Sequence, residues 1–294
     1  MPVTLKNEQI ELQIDLPNEN YKATRFDQTG KIISLKYNNL LLSGSESLDS
    51  EKDEFLGKGF YNEFGIDKPF NFDDTPKNEW FHKIGVGSLK KTEDNYYFHQ
   101  LYEKRPLDYK IDKTEADIII QCTAPNLNGY SYRLTKKITL LNNGFSINYL
   151  LENIGDKDII TTEYVHNFLA FNSEAIGPNY ILKFPFELNT ALFNDTLNSE
   201  NKVVFEHSDI KFNETPNKDY FFSNLSGNKY IKAQWELINL KHKIGIRETG
   251  DFKTNKINLW GVKHVICPEL FYHINLKPNT SQAWSRTYSM FEIW

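Results

Sequence analysis

The sequence predicts an all-β protein of stacked antiparallel sheets, and three features predict it. Apolar and polar residues alternate with period two along most of the chain, whereas long stripes of period 3.6 are scarce. Short segments bearing Asn and Gly separate the alternating runs, and both residues tolerate the positive φ that tight hairpin turns use. Aromatic residues make up 14% of the chain, with 21 Phe, 16 Tyr and 5 Trp, which suits pleated packing surfaces. Most of these rings belong to a core, and a few remain to stack on a ligand.

In chain order, Tyr21–Asp27 alternates and leads through Gln28-Thr29-Gly30 into the apolar run Ile32–Tyr37. Asn38-Asn39 then precedes Leu40–Leu42, so these segments read as strands joined by tight turns. From Ser43 through Asn78 the chain is rich in Gly, Asp, Glu, Pro and Asn, and reads as irregular functional loops. Asp117–Cys122 has an unbroken apolar centre, which predicts a strand buried on both faces. The clearest hairpin pairs Tyr130–Leu140 with Phe145–Asn153 across Asn142-Asn143-Gly144. Its first arm puts Tyr132, Leu134, Ile138 and Leu140 on one face and Arg133, Thr135, Lys137 and Thr139 on the other. Its second arm gathers Phe145, Ile147, Tyr149 and Leu151, a pattern suited to stacked sheets.

No repeat, linker or low-complexity tract divides the chain, so residues 1–294 are expected to form one domain, a length that large sandwiches reach. The net charge is −5 and no basic stripe appears, which argues against a nucleic-acid partner. The first residues lack a signal-peptide pattern and no apolar run is long enough to cross a bilayer, so a soluble, cytoplasmic protein without membrane contact is expected. Cys122 and Cys267 form neither a disulfide framework nor a zinc motif. The four Asn-x-Ser/Thr sequons, starting at Asn194, Asn213, Asn224 and Asn279, read as coincidences of an Asn-rich chain. Nothing identifies an oligomer interface.

Three clusters carry groups capable of chemistry. The first runs from Gly57 through Asn62, Glu63, Phe64 and Gly65, and continues at Trp80-Phe81-His82-Lys83 and Gly85-Val86-Gly87. Its glycines permit close backbone approach to a ligand, but no Lys-Ser/Thr follows at phosphate-loop spacing, and a structural turn is the commoner explanation. The second places His166 and Asn167 at the end of a strand-like run, where a lone His is more often a core residue than a catalyst. The third holds Trp260 and sets Glu269 after an apolar strand and Pro268. Burial would raise the pKa of that carboxyl and suit it to general base work, although capping of backbone amides is the commoner role.

The order of these clusters resembles the aldose 1-epimerase (galactose mutarotase-like) family, nearest in layout to its hexose-6-phosphate mutarotase-like branch. The resembling parts are Phe60–Gly65, His82–Gly87, the central hairpin, His166 and Glu269. The closing segments Leu276–Thr280 and Trp284–Tyr288 extend the resemblance over nearly the whole chain. It implies a β-supersandwich and an enzyme that interconverts the α and β anomers of a sugar without metal, nucleotide or redox cofactor. His166 would be the general acid, Glu269 the general base, and His82 a substrate-binding residue beside the ring oxygen. Asn62, Glu63, Lys83, Asn167, Arg133 and Trp260 would complete the sugar contacts.

Two departures bear on substrate. The family's Arg after the His-Gly segment is not matched, since Gly87 or Ser88 stands there, leaving Lys83 or Arg133 as the available cation. Glu63 would oppose a phosphate, so a neutral sugar is favoured. Two alternatives are a catalytically silent sugar-binding member of the fold and a polysaccharide-processing enzyme. A hydrolase needs paired carboxylates, and Glu63 with Glu269 is the pair on offer. The mutarotase expectation requires His82, His166 and Glu269 in one pocket, with the last two close enough to flank one sugar ring.

Overall fold

A computed structural model describes residues 2–52 and 54–293. Among these residues, 24 strands form four sheets whose pairings are antiparallel, and the only helices are three short 3-10 turns. A seven-stranded sheet runs in the order Val3–Lys6, Ile10–Asp15, Lys31–Tyr37, Phe60–Phe64, Ile159–Asn167, Tyr272–Leu276, with Leu40–Leu41 beside its third strand. A ten-stranded sheet is centred on Ile231–Asn239, Ile244–Thr254, Ser281–Glu292, Gly144–Asn153, Tyr132–Leu141 and Asp117–Thr123. A four-stranded sheet orders Thr196–Leu197, Tyr220–Phe222, Ile257–Val262 and Val265–Leu270, and a three-stranded sheet contains Trp80–Lys83. Among the described residues, no helix is long and apolar enough to cross a membrane.

The two large sheets share one core. Phe60 of the seven-stranded sheet meets Phe145 and Tyr288 of the ten-stranded sheet at ring separations of 5.2 and 5.0 Å. All three rings are fully buried. Each such ring contributes about 1.5–3 kcal/mol by leaving water. The core also contains Leu12, Ile14, Leu35 and Val165 from one sheet, with Leu134, Ile138, Ile147 and Ile246 from the other.

The central hairpin forms as Tyr132–Leu141 and Gly144–Asn153, with Leu141 paired to Gly144 across a two-residue turn. Asn142 and Asn143 keep negative φ, whereas Asn38 and Asn39 supply the left-handed turn, at φ 47° and 66°. Three segments depart from the sequence pattern. Asp117–Thr123 buries only Ile118, Ile120 and Cys122, because its other face is not covered. Phe60–Phe64 is a fully buried strand inside the stretch expected to be irregular. Tyr21–Asp27 is not a strand. Tyr21 and Phe26 turn into one aromatic cluster with Tyr61 and Phe168, while the backbone N–H groups of Lys22 and Asp27 donate to Glu54 and Asn62 carbonyls.

Charges buried between the large sheets are paired. Arg286, without exposure, donates to Glu163 at 2.7 Å and to Glu248 at 2.6 Å. Indole N–H groups of Trp284 and Trp235 complete the two carboxylates at 3.0 and 2.7 Å. Removing one member would strand an uncompensated charge, at a cost of about 3–5 kcal/mol.

Candidate active site

His166 is the penultimate residue of the strand Ile159–Asn167, and Glu269 is penultimate in Val265–Leu270. The chain leaving His166 docks on the four-stranded sheet. Leu169 and Ile266 exchange backbone hydrogen bonds at 3.0 Å in both directions. The Asn167 amide donates to the Pro268 carbonyl at 2.7 Å. These bonds hold His166 Nε2 3.1 Å from Glu269 Oε1, with each residue 4% exposed.

The imidazole sits in an aromatic box. Phe168 stacks on it with centroids 4.2 Å apart and planes 7° from parallel, and Trp260 meets it edge-on at 5.6 Å. Its Nδ1 is buried without a hydrogen-bond partner. Burial, helped by the nearby Arg25 cation, therefore holds the His166 pKa well below the usual imidazole range. Burial also pushes Glu269 up to about 8, with negative Glu63 adding to the rise and Arg25 and Lys256 opposing it. Both groups are driven toward neutrality, which leaves the pair holding one transferable proton between a carboxyl and an imidazole.

The pair opens on a cleft of about 350 Å³. Trp260 and Phe221, cross-strand partners on the four-stranded sheet, form an aromatic side of the cleft. Arg25 and Phe98 line it as well, and Glu46 and Asp67 come from the segment 43–78, which was expected to supply functional loops. Gly57 belongs to the same segment. Its N–H donates to Glu46 at 2.7 Å, and a Cβ there would meet the Phe168 ring at 2.4 Å.

Of the residues expected at the site, His166, Glu269 and Trp260 line this cleft. His82 does not. Its ring is buried against Phe70 and Tyr132, and its Nε2–H donates to the Tyr130 carbonyl at 3.2 Å. Burial lowers its pKa to about 4. Asn62 and Asn167 are also buried, because the sheets use their amides as internal connectors. Asn62 receives Lys136 at 2.6 Å and donates to Glu163 at 2.7 Å. Asn167 donates to Glu248 at 3.0 Å and accepts from the Tyr288 hydroxyl at 2.9 Å. Arg133 points from the surface of the ten-stranded sheet toward Glu152, 3.4 Å away.

Glu63 and Lys83 lie behind the cleft wall. Glu63 accepts from Arg25 at 2.8 Å, Lys83 at 3.1 Å and the Tyr164 hydroxyl at 2.7 Å. Burial alone would raise its pKa, but the two cations overcome it and hold the carboxyl below its usual range. A carboxylate locked in this way is no nucleophile, which removes the Glu63–Glu269 pair from a hydrolase mechanism. The cations at the cleft are Lys256 and Arg25, rather than Lys83 or Arg133. The Arg25 guanidinium reaches Glu63, Glu46 and Tyr164 and lies over the rings of Phe26 and Phe98. Sequence reasoning missed Arg25 because Tyr21–Asp27 mimics a strand.

Among the described residues, no group of three or more His, Cys, Asp or Glu is placed to hold a metal ion. The sequence matches no protein-family model and no curated protein. Solved structures do resemble the chain. A galactose mutarotase related enzyme from Lactobacillus acidophilus superposes with a TM-score of 0.61 at 12% identity, covering 100% of both chains. A galactose mutarotase-like protein from Clostridium acetobutylicum gives 0.61 at 12% identity, over 99% of this chain and 95% of that one. The GalM/aldose epimerase homologue from C. elegans gives 0.55 at 10% identity, over 100% and 99%.

Proposed function

On the galactose mutarotase-like fold that the chain carries over nearly its whole length, we propose that His166 and Glu269 interconvert the anomers of a neutral sugar. The observation that carries this reading is the 3.1 Å separation of His166 Nε2 and Glu269 Oε1 at the wall of a cleft. The groups stand side by side, not opposed across a ring. A hemiacetal also presents its two reacting oxygens side by side, because the ring oxygen and the anomeric hydroxyl share one carbon.

In the mechanism, the Glu269 carboxylate takes the proton of the anomeric hydroxyl while His166 Nε2 delivers a proton to the ring oxygen. The carbon–oxygen ring bond breaks and the open-chain aldehyde forms. Glu269 is then a carboxylic acid and His166 a neutral imidazole, the state that burial of both groups favours. Rotation about the first carbon–carbon bond and reclosure with the roles reversed give the other anomer and restore the starting protonation. Of the two, Glu269 near 8 titrates within reach of neutrality, whereas His166, held well below the imidazole range by burial, becomes the acid only while it carries the proton that Glu269 gives up across the 3.1 Å contact. The cleft also suits a neutral substrate. Arg25 is committed to Glu63 and Glu46, and Lys256 to Asp67 at 2.8 Å, while Glu46 and Asp67 would repel a phosphate.

Catalytically silent sugar binding is the alternative that one observation favours, because His166 Nδ1 has no partner to support an imidazolium. Anomer exchange measured by NMR over a sugar panel separates the two. Exchange above the spontaneous rate that is lost in Glu269→Gln supports the enzyme. Binding without any acceleration sinks it.

A further inference from the structure

The catalytic cleft does not end at the catalytic pair. A second cleft of about 420 Å³ shares Asp67, Phe221, Lys256 and Asn258 with it, so one wall runs through both. Together they give a groove about twice the size of the first cleft, in the middle of the range of small-molecule sites. Register on the four-stranded sheet explains the continuity. Cys267, Trp260, Phe221 and Leu197 are successive cross-strand partners, so a row of apolar side chains crosses the sheet outward from the strand that carries Glu269. Cys267 is buried, Trp260 and Phe221 are half-buried and Leu197 is exposed, so the row opens from the core into a ledge whose Phe221 lines both clefts.

The rest of the second cleft is a wall of amides and hydroxyl partners. Asn194, Asp195, Asn224, Asn228 and Asn255 line it with Ser223 and with His273, whose Nε2 lies 2.7 Å from Asn255 Oδ1. The turn that presents Asn228 is fixed by a bond from its own N–H to the Asn224 side chain at 3.0 Å, with both residues at positive φ, 64° and 59°. The Asn228 amide itself makes no hydrogen bond within the described residues. An amide offers a donor pair and an acceptor from one group, matching a hydroxyl that both gives and takes a proton. Asp195 accepts from Ser223 through Oδ2 at 2.7 Å, which leaves its other oxygen for a ligand. Lys256, the cation on the shared wall, is paired with Asp67. Apolar ledge, amide wall and absence of an uncommitted cation together fit a second uncharged sugar ring, its carbon face on the ledge and its hydroxyl edge on the wall.

We infer that the substrate is the reducing end of an oligosaccharide, with its terminal ring at His166 and Glu269 and the next ring in the Asn228 cleft. This rests on the mutarotase reading for the first ring only. The anomeric carbon must be free at the catalytic pair, so whatever extends into the second cleft is attached on the non-reducing side.

The experiment compares D-glucose and D-galactose with maltose, cellobiose and lactose, by anomer exchange and by saturation-transfer NMR. At least one disaccharide is expected to have a KM about tenfold below that of its reducing-end monosaccharide. Asn228→Gly, which keeps the positive φ, should erase that advantage and leave monosaccharide turnover unchanged. Disaccharides that never surpass the monosaccharides, or an Asn228→Gly effect equal on both, overturn the inference. If no sugar is turned over, the mutarotase reading fails by itself, and binding still decides. Tighter disaccharide binding that Asn228→Gly weakens supports the second ring site, and equal binding refutes it.

Discussion

His82 and His166 are the same residue in nearly the same physical state. Both are buried among aromatic rings, both leave Nδ1 without a partner, and burial depresses both pKa values, His82 to about 4. They differ in what Nε2 meets. His82 donates to the backbone carbonyl of Tyr130, a group that can accept a hydrogen bond but cannot take the proton. His166 faces a carboxyl whose own pKa has risen to about 8, beside an open cleft. Burial and a shifted pKa thus do not mark a catalyst by themselves. The partner must be able to exchange the proton, and solvent or substrate must reach the pair.

The largest expected effect strikes the partner. Glu269→Gln keeps the shape and removes the exchangeable proton, so anomer exchange should fall about 10²–10⁴-fold with circular dichroism unchanged. A variant that retains wild-type turnover would end the comparison. His166→Ala should lose activity on a similar scale, whereas His82→Ala should keep its turnover per folded molecule. The His82 change should instead cost about 1–3 kcal/mol of stability in urea unfolding, through the cavity it leaves. Equal activity losses at the two positions would show that His82 acts on substrate after all.

Smaller effects concern the charges around the pair. Arg25 lowers the pKa of both His166 and Glu269. Arg25→Gln should therefore shift the pH–rate profile for anomer exchange to higher pH, and an unmoved profile would detach Arg25 from the pair. Stability should carry the weakest signature. Between the ordinary carboxyl value of 4.5 and about 8, folded Glu269 keeps a proton that the unfolded chain has released, so stability falls as pH rises through that window. Below 6.5 the unfolded chain binds a proton that folded His166 refuses, so its contribution falls as pH drops. Urea midpoints across pH should show the first slope flattened in Glu269→Gln and the second in His166→Ala.

Local patterns made much of the architecture legible. The alternation of Tyr132–Leu141 and Gly144–Asn153 fixes which face is buried, and Asn38-Asn39 marks a turn without knowledge of the rest. What stayed hidden depends on partners far along the chain. Asn62 and Asn167 look like sugar ligands until Glu163 and Glu248, 101 and 81 residues away, claim their amides. Arg25 sits in a segment whose alternation is real, yet its loop is held by Glu63 and by an aromatic cluster no local pattern displays. His166 and Glu269 became a pair only through the order of clusters. Residue type alone supplied both histidines equally.

Gly57 neither lines the His166–Glu269 cleft nor touches the imidazole, yet it borders the ring that supports the imidazole. Any side chain there would press on Phe168 at 2.4 Å and on Phe26 at 2.9 Å, and Phe168 lies flat against His166. The orientation of the His166 ring thus depends on the lack of a side chain at position 57, three residues before the strand Phe60–Phe64. Substitutions at position 57 should therefore turn the His166 ring and, by overpacking the cluster of Phe26 and Phe168, cost stability of about 1–3 kcal/mol in the same step.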